Sequence, residues 1–367
     1  MLLASAPVTA PVQHNDRRAA AIALGVALVI AWIRGFRAPN LWSATLQSIS
    51  LVDGFHRRFL VGTLLRPVVM IAGYRYAVFA CFGYAVLVAL LWIVIRAALR
   101  TPLWSRRAVV LAWLLLPSGG FVFDEVGYFD QVLYLILFAG VALLARGRLA
   151  WAAVVMALAP MVHEIAALTV LPVFGWLALR QLPVRKAVLV TAPAAVIAGV
   201  VLIVPPATAA AIPALEAALA HADFVYRIDA LSLFERTQAA SWKLYSIHAQ
   251  WLAVQATTMI AVLGLVALWW ADGAANARAR VVACAAAAAP SLLIFGGWDD
   301  NRWIFLIVTN FLLVVWYSLA DRRDELGARA ASVLLIALLL FSQNPSYYFD
   351  GLKPRALSYR ELRRLLV

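Results

Sequence analysis

The 367 residues are 65% hydrophobic and 13% charged, where an ordinary soluble domain is roughly 45–50% apolar and about 25% charged. The apolar residues come in long blocks separated by short charged joints to the end of the chain, which excludes a soluble protein and predicts a single integral membrane domain over 1–367. The formal charge of +13 would suggest nucleic acid in a soluble protein. Here most basic residues sit in the joints, where they act as topology signals and contacts to membrane lipids, so nucleic acid is excluded as a partner.

Arg17 and Arg18 precede the first apolar run, and "RGFRAPN" follows it with no small-residue cleavage pattern, so the first span is expected to be retained. Turning the chain at each charged joint predicts an all-α bundle of about eleven spans, at 19–33, 76–95, 108–123, 129–145, 149–162, 165–179, 187–204, 252–270, 281–296, 303–319 and 330–342. Two long loops interrupt them. The first, 34–75, carries the amphipathic-looking stretch "LWSATLQSISLV", and the second spans 205–251.

Alternate joints fall on the same side and differ in chemistry. One set (Arg17/Arg18, "RAALRTPLWSRR", "ARGR", "RQLPVRK", "ADGAANARAR", "DRRDELGAR") holds 16 of the 31 Lys and Arg but 5 of the 18 Asp and Glu. Short basic joints are retained in the cytoplasm. The expectation is therefore a multi-pass protein of a bacterial inner (plasma) membrane with a cytoplasmic N-terminus. The acidic motifs then all face the extracytoplasmic side, and a shared site there is the economical explanation.

Those motifs come from separate joints. "VDGFHRRFLVGTLLRP" offers Asp53 as a general base or a helix cap, and Arg57, Arg58 and Arg66 as anion ligands or solvated charges. "FDEVGYFDQ" places Asp124, Glu125 and Asp130 within seven positions with no basic partner within ten residues. Carboxylates so close raise at least one pKa unless a cation from elsewhere compensates. "APMVHEIAALTVLP" sets His163 and Glu164 between two short apolar helices. Residues 149–162 rise roughly 21 Å at about 1.5 Å each, short of the ~30 Å hydrocarbon core, so this pair is expected below the surface in a protein-lined pocket. "GGWDDNRWIF" supplies Asp299, Asp300 and Arg302 between two tryptophans that read as interface anchors; Asp300 and Arg302 either pair with each other or bind sugar hydroxyls or phosphate.

Several chemistries have no signature. Nucleotide-binding loops, dinucleotide fingerprints, serine-hydrolase elbows, CxxC pairs and haem motifs are absent from the sequence, and Ala167 stands where a zinc-protease box needs a second histidine. Cys81 and Cys284 sit inside apolar blocks and read as small buried hydrophobes. His163, Glu164 and distant carboxylates are candidate ligands of a divalent metal, although no spacing rule selects them, and no other cofactor is expected.

With its many spans, Asp53 in a first outward loop beside an amphipathic stretch, Asp124 and Glu125 in the second, and a long later outward loop, the chain resembles the GT-C membrane glycosyltransferases. Locally, "PSGGFVFDEVGYF" resembles the Phe-Asp-Glu motif of protein O-mannosyltransferases, although there the motif follows the first span and here it follows the third. The resemblance implies transfer of a sugar, with inversion, from a polyprenyl-phosphate donor to a glycan, lipid or protein acceptor. Asp53 would be the base, with Asp124 or Glu125 as the competing choice. Arg57, Arg58 and Arg302 would hold the phosphate, and Asp130, His163, Glu164, Asp299 and Asp300 would position sugar or acceptor. Two other classes fit the layout. A polymerase or ligase of O-antigen or capsule would rely on His221, Arg227, Arg236 and His248. A secondary transporter or lipid flippase would use His163–Glu164 and Asp300–Arg302 as a relay.

Overall fold

The computed structural model describes residues 14–204, 211–231, 250–272, 277–297 and 299–343. Among these, every regular element is helical: α1 (His14–Gly35), α2 (Leu41–Ser48), α3 (Phe59–Ala72), α4 (Tyr76–Arg100), α5 (Trp104–Leu115), α6 (Pro117–Asp124), α7 (Phe129–Ala145), α8 (Leu149–Val162), α9 (Val170–Gln181), α10 (Val184–Ile203), α11 (Ala211–Leu219), α12 (Ile228–Leu231), α13 (Gln250–Ala271), α14 (Ala277–Ala288), α15 (Asp300–Ser318) and α16 (Ala328–Ser342). Short 3-10 turns occupy Leu51–Asp53, Glu164–Ala167, Ala289–Phe295 and Leu319–Asp321.

Five of these helices, α1, α4, α10, α13 and α15, are long and apolar enough to cross a membrane. The run at 108–123, expected as one span, is a pair, α5 and α6, bent by 58°, and counts as a sixth only if the two are taken together. The bend has a local cause. Leu116 is extended because the ring of Pro117 disfavours helix in the residue before it, and Pro117 then opens α6 at the position where its missing N–H costs nothing. The other apolar runs fold as shorter helices, among them α3, which lies inside what the sequence presents as a loop. Counting runs by composition registers an apolar helix whatever its length.

The apolar surface has the pattern of lipid contact. On α1 the exposed Ile22, Val26, Val29 and Ile33 recur at spacings of four, three and four, one stripe of a helix turned away from the core. Similar stripes on α10, α13 and α16 would be anomalous in water. α15 differs: its span window is 83% buried, against 28–39% for the other four, which makes it the central helix. α5, α6, α9, α13 and α14 pack around it. Halfway along, the Asn310 amide donates to the carbonyls of Thr169 (3.0 Å) and Ala286 (3.1 Å), and Tyr134 donates to Asn310 Oδ1 at 3.3 Å. These bonds register α15 against α7, the start of α9 and α14 in a core where apolar contacts alone leave helices free to slide.

The stretch at 41–52 is not an interfacial amphipathic helix. Every residue of α2 from Ser43 to Ser48 is buried. Its polar side chains are taken up by protein: Ser48 donates to the Thr45 carbonyl at 2.6 Å, Gln47 to the Gly127 carbonyl at 2.5 Å, and Thr45 Oγ1 accepts from Arg227 N at 3.0 Å. A polar stripe that looks solvated in sequence is satisfied within the protein, Gln47 and Thr45 by partners 80 and 182 positions away.

Close helix crossings depend on glycine. A Cβ on Gly35 at the end of α1 would lie 1.7 Å from the carbonyl oxygen of Gly120 in α6, whereas one on Gly25 or Gly199 meets nothing within 4 Å. Gly35→Ala is therefore expected to lower the melting temperature of detergent-solubilised protein strongly, while Gly25→Ala and Gly199→Ala leave it unchanged or slightly higher through helix propensity. Equal melting of all three would contradict the α1–α6 contact.

Candidate functional site

One end of the bundle collects the acidic motifs. The turn between α6 and α7, residues 125–128, is forced into a tight path by Gly127. Its φ of +85° is left-handed, and a Cβ there would press on the Gln47 amide (3.1 Å) and Pro39 (3.2 Å). Gly83 of α4 lets this turn lie against the helix, since a Cβ at that position would be 2.8 Å from the Gly127 Cα. Asp124 is thereby fixed as the last residue of α6, Tyr128 as the cap of α7 and Asp130 in its first turn.

Asp124, Asp130 and Glu164 each find a cation from a distant element. Asp130 takes a two-pronged bond from Arg302 in the first turn of α15, Nε at 2.7 Å and Nη2 at 2.5 Å, with both side chains at most 4% exposed. Asp124 pairs with Arg37 from the joint after α1. Glu164 takes Nε (3.1 Å) and Nη2 (2.7 Å) of Arg58, and its other contact is the Nδ1 of His163 at 2.9 Å. Asp299 lies 3.8 Å from Arg302 Nη1. The Arg302 guanidinium stacks on the Tyr128 ring, 4.2 Å from its centroid, and Tyr128 in turn lies beside His163, with centroids 6.3 Å apart. The result is a continuous wall, Asp130–Arg302–Tyr128–His163–Glu164–Arg58. His56, Arg57 and Asp300 are also buried.

Two expected members behave differently. Asp53 caps its own turn, accepting from Ser50 N (2.8 Å) and Ser50 Oγ (2.7 Å), and faces Arg66 at 3.6 Å. The helix-cap reading of Asp53 describes those contacts. Arg302 reaches to Asp130 and Asp299. In the second long loop, Arg227 pairs with Asp229 at 2.8 Å in an exposed position, while Arg236 and His248 lie outside the described residues. Among the described residues, no group of three or more His, Cys, Asp or Glu is arranged to hold a metal.

The electrostatics single out one carboxyl group. Glu125 is buried and joins no ion pair among the described residues; burial first, then the charges of Asp299, Asp124 and Asp130, push its pKa well above the ordinary range, with Arg302 opposing. Asp299 is pushed up to about 6 by burial and by Asp130 and Asp300 against the pull of Arg302. Glu164 goes the other way: burial would raise it, but Arg58 and His163 hold it well below the ordinary value. His163 drops to about 4 and His56 to about 3, through burial and the nearby Arg58, so both are neutral at neutral pH. The site thus combines carboxylates held ionised by arginines with two carboxyls, Glu125 and Asp299, that hold their protons more tightly than usual, the pairing of states that acid–base chemistry uses.

Tyr128, Arg37 and Gln47 were not singled out as candidates in sequence. The available signal for Arg37 was its place in an outward joint against the basic-inside trend; Tyr128 lay inside "FDEVGYFDQ", masked by the carboxylates beside it. No protein-family model matches the chain, and no curated protein or solved structure matches it either.

Asp130→Asn leaves the buried Arg302 without its counter-charge and is expected to cost about 3–5 kcal/mol, seen as a large fall in melting temperature. Asp299→Asn should do the reverse in a pH-dependent way. Because the folded-state pKa of Asp299 is raised, native protein binds its proton more tightly than unfolded chain, and the associated stability is lost as pH rises from about 4 through 6. Wild type and Asp299→Asn should therefore melt alike near about pH 4, with the variant the more stable at about pH 7.5. A constant difference across that window would contradict the raised pKa.

Proposed function

We propose that the chain is a membrane glycosyltransferase of the GT-C kind. In this reading it moves a sugar from a polyprenyl-phosphate donor to a glycan, lipid or protein acceptor on the extracytoplasmic side. The observation that carries the reading is the relation of Glu125 to the two clamped arginines. Arg58 and Arg302 each spend Nε and Nη2 on a carboxylate, which fixes the guanidinium; Nη1 of Arg58 has no partner among the described residues and is left for a ligand, while Arg302, with Asp299 3.8 Å from its Nη1 and Tyr128 over one face, adds fixed positive charge. Glu125, within the electrostatic reach of Arg302, has no ion-pair partner of its own among the described residues.

The roles follow from the chemistry of displacement at an anomeric carbon. The acceptor hydroxyl attacks C1 from the face opposite the phosphate, its proton passes to the Glu125 carboxylate, and the C1–O bond to phosphate breaks with its electron pair leaving on the phosphate oxygen. Configuration inverts. A polyprenyl phosphate is a good leaving group that needs positive charge rather than a proton, and Arg58 and Arg302 would supply it in a site already stripped of water. Tyr128 between them would orient the phosphate. A raised pKa makes Glu125 a stronger base once ionised, so turnover should increase with pH as it loses its proton.

The reading moves the base from Asp53 to Glu125, because Asp53 is spent on the Ser50 turn and Arg66. Glu125→Gln is expected to abolish glycan product in membranes while leaving protein yield and melting intact. Asp53→Asn, which keeps an oxygen for the Ser50 cap, should retain product with a stability loss of about 1 kcal/mol. Mass spectrometry of surface glycans and lipid-linked sugars in a deletion strain complemented by each variant is the measurement; normal product from Glu125→Gln would end the proposal.

A further inference from the structure

Running from the middle of the bundle toward the end opposite the carboxylates, α4, α5, α7 and α15 leave a narrow groove of about 60 Å³. Its walls are Leu90, Val94 and Ala97 of α4, Val110 and Trp113 of α5, and Leu313 of α15, with Tyr134, Phe138 and Trp316 completing it. It is almost wholly apolar. The Tyr134 and Thr309 hydroxyls in the lining are engaged, the first donating to Asn310 and the second accepting from Trp113 Nε1 at 3.2 Å. Val94, Ala97 and Leu313 are part-exposed, so the groove opens sideways to the lipid-facing surface.

The mouth is basic. Arg106, in the first turn of α5, stacks its guanidinium 4.1 Å over the Trp316 ring. It donates no hydrogen bond and joins no salt bridge among the described residues, and its Nε is buried without a partner. Of the exposed arginines near the end of α4, Arg96 sits over the Trp92 ring outside the groove, so the positive charge at the mouth is that of Arg106. At this end Arg180 is held by Asp321 and Arg322 by Asp272, while Arg107, beside Arg106, also joins no ion pair among the described residues but donates to the Asp16 carbonyl at 3.4 Å. A guanidinium pinned by its face on an indole keeps its edge N–H groups available for a bidentate oxyanion.

We propose that this groove is a binding site for an anionic glycerophospholipid, one acyl chain lying between α4 and α15 and the phosphodiester on the edge of Arg106. An acyl chain gains little from leaving other lipid tails, so the tail supplies fit and the charge supplies selectivity. Leu90 to Ala97 is two helical turns, roughly 10 Å, which takes the stretch of chain next to the headgroup. The occupant is argued from charge complementarity: an apolar groove whose mouth carries the Arg106 guanidinium, joined to no ion pair among the described residues, favours a headgroup of net negative charge over a neutral zwitterion. The proposal rests on the membrane reading of the chain alone and stands apart from the glycosyltransferase proposal.

The test is native mass spectrometry of the full chain in detergent, titrated with phosphatidylglycerol or phosphatidylcholine of identical acyl chains. Phosphatidylglycerol is expected to be retained about fivefold better, the worth of one basic side chain at a membrane surface, and that preference should vanish in Arg106→Gln. Ala97→Trp, which fills the groove and leaves Arg106 in place, should lose the retained lipid. Equal retention of the two lipids by wild type overturns the proposal, as does a preference undiminished in Arg106→Gln. Should Arg106→Gln fail to fold, Ala97→Trp decides: loss of the preference supports the site, and its persistence overturns it.

Discussion

The Arg302–Asp130 pair fixes the site end of the molecule. Two charges buried to 4% exposure or less hold only because both prongs of the guanidinium are met by both oxygens of the carboxylate, and the Tyr128 ring covers its face. The desolvation of such a pair is expensive, and its mutual attraction offsets that cost only in this geometry. The pair ties the first turn of α7 to the first turn of the central helix α15. The turn at 125–128, which begins three residues before the α7 cap at Tyr128, is then held in place, and Glu125 with it.

From that anchor the remaining contacts read as a graded set. Arg58–Glu164 locks the start of α3 to the break between α8 and α9, and His163 hangs from the same carboxylate as a neutral ring. Asp124–Arg37 locks α6 to the joint after α1. Three ion pairs, each between elements far apart in the chain, leave Glu125 as a buried carboxyl with no ion-pair partner among the described residues. A group in that state costs stability when ionised, and a site that tolerates it has reason to do so in chemistry.

The bundle is polarised. One end carries buried, mutually satisfied acids and bases around Glu125. The other carries more exposed pairs, Arg180–Asp321 and Arg322–Asp272, and the Glu325 carboxylate accepting from the first backbone N–H groups of α5. Between the ends, Asn310 and Tyr134 supply the polar bonds that keep α15 in register. The apolar groove lies on the more exposed, basic side of that division and shares no residue with the carboxylate wall.

Composition and the spacing of charged joints were enough to determine an all-helical chain with membrane-length apolar helices, because long apolar segments have no stable alternative that satisfies their backbone. The motifs "FDEVGYFDQ", "VHE" and "DDNR" could be listed as candidates because charged residues in such segments are rare and costly. Sequence did not determine which partner each would take. Arg302 lies 172 positions from Asp130 and Arg58 lies 106 from Glu164, and no local rule pairs residues at that range. Nor was the fate of "LWSATLQSISLV" legible: its polar stripe faces Gly127 and Arg227 rather than water, and only packing distinguishes the two. The same holds for Asp53 and Glu125. In sequence both are acids in joints expected to face outward; in the folded chain one caps its own turn and the other joins no ion pair among the described residues, because tertiary structure alone decides which charges meet.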